Sequence, residues 1–194
     1  MGGHNSVLDT LAVSQNAPLF LARTQYMHGK ALADGYCPLK QAPRMTWGNY
    51  DLIGGTPLFS ASLRILWYVK RRTKDYIKEG YDVRTLTLLL TDGWNRQFIK
   101  PIITAQDVCS VVKPMIASER HIIAGVGVAN PEADFRQTFL DMGIPEQWIL
   151  TLRSAEEIRA AFGTFAQSAE QSSTSPQQFK ETLAKGFEGA STAK

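Results

Sequence analysis

The chain has few of the features that mark secreted, membrane-spanning or disulfide-stabilised proteins. Its 194 residues include two cysteines, Cys37 and Cys109, which are far apart and form no Cys-x-x-Cys pair. Their spacing excludes a zinc motif built on cysteine pairs and favours a reducing, cytoplasmic location. No apolar run approaches the roughly 20 residues of a membrane-spanning helix. The N-terminus also lacks the apolar core of a signal peptide.

A large excess of one charge is absent as well. The formal net charge is +3, and the basic residues are not interleaved with aromatic ones. This composition argues against a nucleic-acid partner. The densest basic run, residues 70–72, falls near the end of a predicted helix, where cations favour the helix dipole. We expect this run to be a solvated helix end, with a partner contact as the alternative.

Hydrophobic periodicity predicts an alternation of strands and helices. Three short apolar runs, two of them near-continuous, are typical of buried parallel strands, and the segments between them have helical spacing and N-cap residues. The predicted strands are 85–91, 121–129 and 148–152, after a hairpin at 19–26 and 30–33, and the predicted helices are 5–15, 57–78, 104–118, 130–142 and 154–169. This order predicts an α/β, Rossmann-like, doubly wound and mostly parallel sheet with helices on both faces. We expect one domain over residues 1–168 and a flexible C-terminal tail over 169–194.

Residues 53–58, Ile-Gly-Gly-Thr-Pro-Leu, form the first candidate ligand segment. Pro57 suits the first position of a helix and Thr56 suits its N-cap. The Thr56 hydroxyl could equally face an ion at the helix N-terminus. Gly54 and Gly55 would let a ligand approach the backbone closely.

Residues 88–93, Leu-Leu-Leu-Thr-Asp-Gly, form the second candidate segment. Asp92 follows a strand that looks buried, at the carboxyl end where parallel sheets bind ligands. It could also be a simple turn residue, since Asp-Gly is a common turn pair. Oxygen donors from Thr56 and Asp92 suit Mg²⁺. Trp94, after Gly93, is a candidate partner contact or a packed ring.

In their order and spacing, these two segments resemble the second and third metal-site segments of the von Willebrand factor type A domain. The segments Ile-Ile-Ala-Gly-Val-Gly-Val at 122–128 and Trp-Ile-Leu-Thr-Leu at 148–152 resemble later strands of that family. The resemblance covers roughly residues 1–167. It implies a protein-interaction module that is not an enzyme. It also implies metal ligation by Thr56 directly and by Asp92 through water, and partner contacts from Gly54, Gly55, Gly93 and Trp94.

The family's first metal segment, Asp-x-Ser-x-Ser, is not found in this sequence. Met1 would occupy the place of a methionine that follows that segment in many members. We therefore hypothesise a truncated or internally initiated chain, or one half of a split gene. With the first carboxylate and both serines missing, we expect an incomplete site that binds Mg²⁺ weakly or not at all.

The resemblance implies a protein partner, for example an ATPase or a multi-subunit assembly. One alternative is a Rossmann-like enzyme that uses a nucleotide or phosphate, with Thr56 on the phosphate. A metal-free scaffold is another. The Gly125-Val-Gly127 pair invites a dinucleotide interpretation, but the full G-x-G-x-x-G pattern fails at Asn130. No Ser-His-Asp order or G-x-S-x-G motif suggests a catalytic residue.

Overall fold

The computed structural model describes residues 2–27, 30–49, 57–92, 95, 101–128 and 133–187. No helix within these ranges is both long and apolar enough to cross a membrane. The helices are α1 (Gly2–Ala12), α2 (Leu58–Lys78), α3 (Ala105–Ala117), α4 (Phe135–Asp141), α5 (Ala155–Thr174) and α6 (Pro176–Lys185). The strands are β1 (Leu21–Ala22), β2 (Cys37–Pro38), β3 (Thr85–Thr91), β4 (His121–Val128) and β5 (Ile149–Leu152). Contacts group the chain into two compact units, Gly54–Leu152 and Met1–Ile53 with Arg153–Lys194.

The unit Gly54–Leu152 is built on a parallel sheet in the order β3-β4-β5. Its central strand, β4, is buried from His121 to Gly127. Because parallel crossovers are right-handed, this strand order places α3 and α4 on the same face of the sheet. The prediction of an α/β fold with a parallel sheet flanked by helices is therefore confirmed.

Glycines and caps set the helix boundaries in this unit much as the sequence predicts. Gly80 after α2 and Gly143 after α4 have φ of +94° and +81°, a conformation that glycine adopts without strain. At the start of α3, the Thr104 hydroxyl accepts the Asp107 N–H at 3.3 Å, and the Asp107 carboxylate accepts the Thr104 N–H at 2.8 Å. These two reciprocal hydrogen bonds form a capping box.

The N-terminal part of the second unit contains less strand than we expected. Instead of a strand over residues 19–26, the chain forms β1, which pairs antiparallel with β2. The predicted hairpin to residues 30–33 is reduced to one bridge between Gln25 and Ala31. The difference has a local cause. Leu19, the first residue of the predicted strand, belongs to the 3₁₀ turn Ala17–Leu19 instead.

Side-chain amides and a close helix contact hold this unit together. Asn5 donates to the Met45 carbonyl and accepts from the Met45 N–H, both at 2.9 Å. Gly3 of α1 lies so close to α5 that a Cβ built there would be 2.3 Å from the Phe162 ring. A larger residue at position 3 would force the two helices apart.

The segment for which we expected a flexible tail is helical as far as Lys185. Helix α5 continues to Thr174, and α6 begins after Ser175, whose hydroxyl accepts the Gln178 N–H at 3.1 Å. Phe179 is fully buried. The polar composition predicts disorder because it contains few apolar residues, but helices in proteins are stabilised mainly by packing, and α6 buries Phe179 and Thr182.

Candidate functional site

The carboxyl edge of the sheet is the candidate site. Thr91 of β3 pairs in register with Gly127 of β4, so both strands end at the same edge. Thr91 is buried, whereas Asp92, the next residue, is exposed. The strand thus holds the backbone in place and leaves one carboxylate open to solvent or to a partner.

A hydrogen bond joins the start of α2 to the loop that follows β3. The Asn95 side-chain oxygen accepts the Phe59 backbone N–H at 3.1 Å. Phe59 lies in the first turn of α2, where backbone N–H groups have no partner within the helix. This bond places the Asn95 side chain at the positive end of the α2 dipole. The sequence analysis did not identify Asn95. The one signal for it in the sequence is a side-chain amide three residues after Asp92.

Helix α2 begins one residue later than predicted. We expected Pro57 at the first helical position and Thr56 as the N-cap, but Pro57 is the N-cap residue and Leu58 begins the helix. Pro57 has no side-chain hydrogen bond to offer, and its carbonyl accepts the Ser60 hydroxyl at 3.2 Å. The backbone of Phe59 is satisfied instead by Asn95 from a distant part of the chain.

Most of the predicted site residues lie outside the described ranges. These are Thr56, Gly54, Gly55, Gly93 and Trp94. Of the two predicted metal ligands, the structure therefore places Asp92 alone. No cluster of three or more His, Cys, Asp or Glu side chains suited to a metal ion occurs in the described part of the chain. The donors described there do not by themselves fit a magnesium site, which needs several oxygen ligands in octahedral geometry.

The glycines of β4 serve packing between helix and sheet. A Cβ at Gly125 would lie 2.6 Å from the Phe139 ring, and one at Gly127 would lie 2.4 Å from Phe135. Both aromatic side chains belong to α4 and are buried. This explains the Gly-x-Gly spacing without a dinucleotide, because aromatic rings occupy the space beside the glycines.

Ion pairs mark the opposite, amino edge of the sheet. The Asp82 carboxylate accepts from Arg120 and from Arg84, each at 2.7 Å. The hydrogen bond from Arg120 is the main reason that the pKa of Asp82 is lowered. Since Asp82 is more than half exposed, these pairs contribute little to stability.

His121 lies beside these ion pairs, and its imidazole Nδ1 is 2.7 Å from the Thr85 hydroxyl. Burial, with smaller contributions from the cations of Lys70 and Arg120, lowers the pKa of His121 to about 4. The imidazole is therefore neutral at pH 7.

Comparisons of the chain with protein-family models, with curated proteins and with solved structures gave no match. The resemblance to the von Willebrand type A family therefore depends on the sequence segments described above.

Proposed function

We propose that this protein is a protein-interaction module of the von Willebrand type A kind, with a doubly wound sheet and its contact surface at the carboxyl edge. In this proposal Asp92 contacts the partner together with Gly54, Gly55, Gly93 and Trp94. The partner is another protein, and the module acts as an adaptor.

The hydrogen bond between Asn95 and the Phe59 N–H carries the proposal. It joins Phe59, which directly follows the first segment that resembles a metal-site segment of the family, to Asn95, which lies two residues beyond the second. An interaction surface built from two distant loops needs such a fixed link, because binding loses less entropy when the loops are already held together.

Asp92 is exposed at the end of β3, so its carboxylate can contact a partner directly. A carboxylate in that position is complementary to a Lys or Arg side chain on the partner. Bound Mg²⁺, if Thr56 and other oxygens supplied it, would add a positive charge that favours an acidic partner group instead.

An affinity capture experiment with the purified, immobilised chain tests this proposal. We expect at least one protein to bind the wild-type chain and to be lost with Asp92→Ala. Asp141→Ala is the matched control, because Asp141 is also exposed but lies at the C-terminal end of α4. Running each capture with Mg²⁺ and with a chelator shows whether the interaction uses the metal.

The proposal is refuted if every captured protein binds Asp92→Ala as well as it binds the wild-type chain. Calorimetric titration with ATP and with NAD tests the alternative of a nucleotide-using enzyme. Saturable nucleotide binding without an Asp92-dependent protein partner would favour that alternative.

A further inference from the structure

The outward face of α2 combines an exposed aromatic ring with a row of cations. Trp67, Arg71, Lys74 and Lys78 are separated by three or four residues, so they lie on one face of the helix. All four are exposed. The buried residues of α2, which include Val69, lie on the other side of the helix. We call the four exposed residues the basic stripe, and it extends about 16 Å along α2.

The cations of the basic stripe have no compensating charge in the structure. Within the described part of the chain, Arg71, Lys74 and Lys78 form no ion pair. The nearby carboxylate of Asp75 accepts from Arg72 instead, at 3.3 Å. Like charges three or four residues apart on a helix repel one another. Because unpaired cations are also costly to bury, this face must meet either water or anionic groups.

The helix dipole accounts for only part of this arrangement. Cations stabilise the last turn of a helix, and Lys78 lies there, but the effect falls off within that turn. Arg71 lies about two turns before the end of α2. The dipole also gives no reason for an exposed tryptophan at the start of the stripe. Binding of an external group accounts for the cations and the ring together.

Trp67 supplies an apolar contact point within the stripe. The Lys70 ammonium lies 5.2 Å from the centre of the indole ring, within the range of a cation–π interaction. This contact orients the ring, yet the side chain remains 54% exposed. Tryptophan and arginine are among the residues that most often supply the binding energy between proteins. We therefore expect a partner to place an apolar side chain on Trp67.

The composition of the stripe favours a protein over a nucleic acid or a membrane. Single-stranded nucleic acids are bound by several aromatic rings on which successive bases stack, whereas the stripe contains one. A helix that lies on a membrane needs a broad apolar face toward the lipid, whereas the apolar face of α2, including Leu66 and Val69, is buried in the core. One ring beside three cations instead matches one apolar side chain beside several carboxylates.

We propose that the basic stripe binds an acidic α-helix of a partner protein. Carboxylates of that helix pair with Arg71, Lys74 and Lys78, and an apolar side chain packs against Trp67. A helix matches the stripe because its side chains recur at the same intervals of three and four residues. The stripe does not include Asp92, so this proposal is independent of the function proposed above. Together the two surfaces would give the module the two contacts that an adaptor needs.

Fluorescence anisotropy with a labelled synthetic peptide tests this proposal. The probe is an alanine-based peptide of about 15 residues, a composition that favours a helix. It has one leucine and several glutamates on one face, at intervals of three and four residues. We expect a Kd on the order of 50 μM in about 20 mM salt. Raising the salt to about 0.5 M should weaken binding at least fivefold, because exposed ion pairs are screened.

Reversal of charge locates the binding surface. The double variant Arg71→Glu/Lys74→Glu should weaken binding of the acidic peptide at least about tenfold. It should instead bind a matched peptide in which lysine replaces glutamate. Lys40→Glu/Lys185→Glu is the control, because both lysines are exposed, lie outside α2 and give the same change in net charge. Equal losses in the two double variants would overturn the proposal.

Truncation of the ring tests the apolar contact. Trp67→Ala should weaken binding of the leucine-containing peptide about tenfold. It should leave binding unchanged for a peptide in which serine replaces the leucine. The exposure of Trp67 makes this a surface change, and circular dichroism checks that the variant folds. An equal loss of affinity for both peptides would contradict the proposed packing on Trp67.

The same assay measures the other classes of partner. The chain is titrated against a single-stranded oligonucleotide of about 15 nucleotides and against vesicles of phosphatidylserine and phosphatidylcholine. Tighter binding to either of these than to the peptide, lost in Arg71→Glu/Lys74→Glu, would overturn the proposal. So would the absence of peptide binding at about 500 μM chain, roughly ten times the expected Kd. Asp92→Ala should bind the peptide as the wild-type chain does, which separates this result from the test of the carboxyl edge.

Discussion

Replacing Gly125 by alanine should destabilise the protein through a single clash. Gly125 lies in the middle of β4, and an added Cβ would be 2.6 Å from the nearest ring atom of Phe139. An ordinary contact begins at 3.4 Å, so the ring would have to move by about 0.8 Å. Phe139 is fully buried, which leaves it little room to move.

The expected cost follows from the general behaviour of overpacked cores. Inserting one methyl group into a well-packed interior costs typically about 1–3 kcal/mol. Alanine regains up to about 1 kcal/mol, since glycine loses more backbone entropy on folding. Because the Phe139 ring is itself fully buried, we expect a net loss of about 2 kcal/mol in the free energy of unfolding.

Urea denaturation at pH 7, with an unchanged m-value, measures this loss. Gly163→Ala is the matched control. Gly163 lies within α5 and a Cβ there would meet no atom within 4 Å, so we expect a gain of about 0.5–1 kcal/mol. Combining Gly125→Ala with Phe139→Ala should cost about 2 kcal/mol less than the sum of the two single changes, because the clash is removed. A neutral Gly125→Ala, or fully additive changes, would refute this account of β4 and α4.

Three further predictions concern other parts of the structure. The pKa of His121 falls from 6.5 to about 4 on folding. The free energy of unfolding is therefore highest above pH 6.5, where the imidazole is neutral in both states, and it decreases as the pH falls towards 4. Between pH 7 and pH 5 this loss should be about 2 kcal/mol, and it should be missing in His121→Asn. Thr104→Ala removes half of a capping box and should cost about 1 kcal/mol in urea denaturation. Phe179→Ala removes a buried ring and should cost about 3 kcal/mol, with faster hydrogen exchange along α6.

Each of these has a clear contrary result. If His121→Asn shows the same pH dependence as the wild-type chain, carboxylates alone cause the acid destabilisation. A Thr104→Ser variant keeps the hydroxyl and should be near neutral, so equal losses for serine and alanine would contradict the capping account. If Phe179→Ala changes neither stability nor exchange, α6 does not pack as the structure describes.

Local sequence signals identified the strands of the sheet and their order along the chain. The segment Thr85–Thr91 coincides with its predicted limits, because a short run of Leu and Thr between turn residues permits few other interpretations. Thr104 as the N-cap of α3 and Gly80 as the end of α2 are also visible as local signals in the sequence. Each acts through neighbours within four residues, so the sequence alone contains the necessary information.

The candidate site could be predicted only in part, because local signals do not report contacts between residues that are far apart in the sequence. The position of Asp92 after β3 follows from the strand itself. The hydrogen bond from the Phe59 N–H to Asn95 joins residues 36 positions apart. No local sequence pattern predicts such a contact, and only the tertiary structure shows it.

The sequence by itself determined that this is an α/β protein and where its main strands begin and end, because those properties depend on the spacing of apolar residues. The tertiary structure decided what each feature does. Gly125 and Gly127, whose spacing matches only part of a dinucleotide motif, make room for Phe139 and Phe135. Phe179, in a segment whose composition suggests disorder, is buried within a helix. In both cases the deciding interaction is with a residue on another helix or strand, and its presence depends on how the whole chain packs.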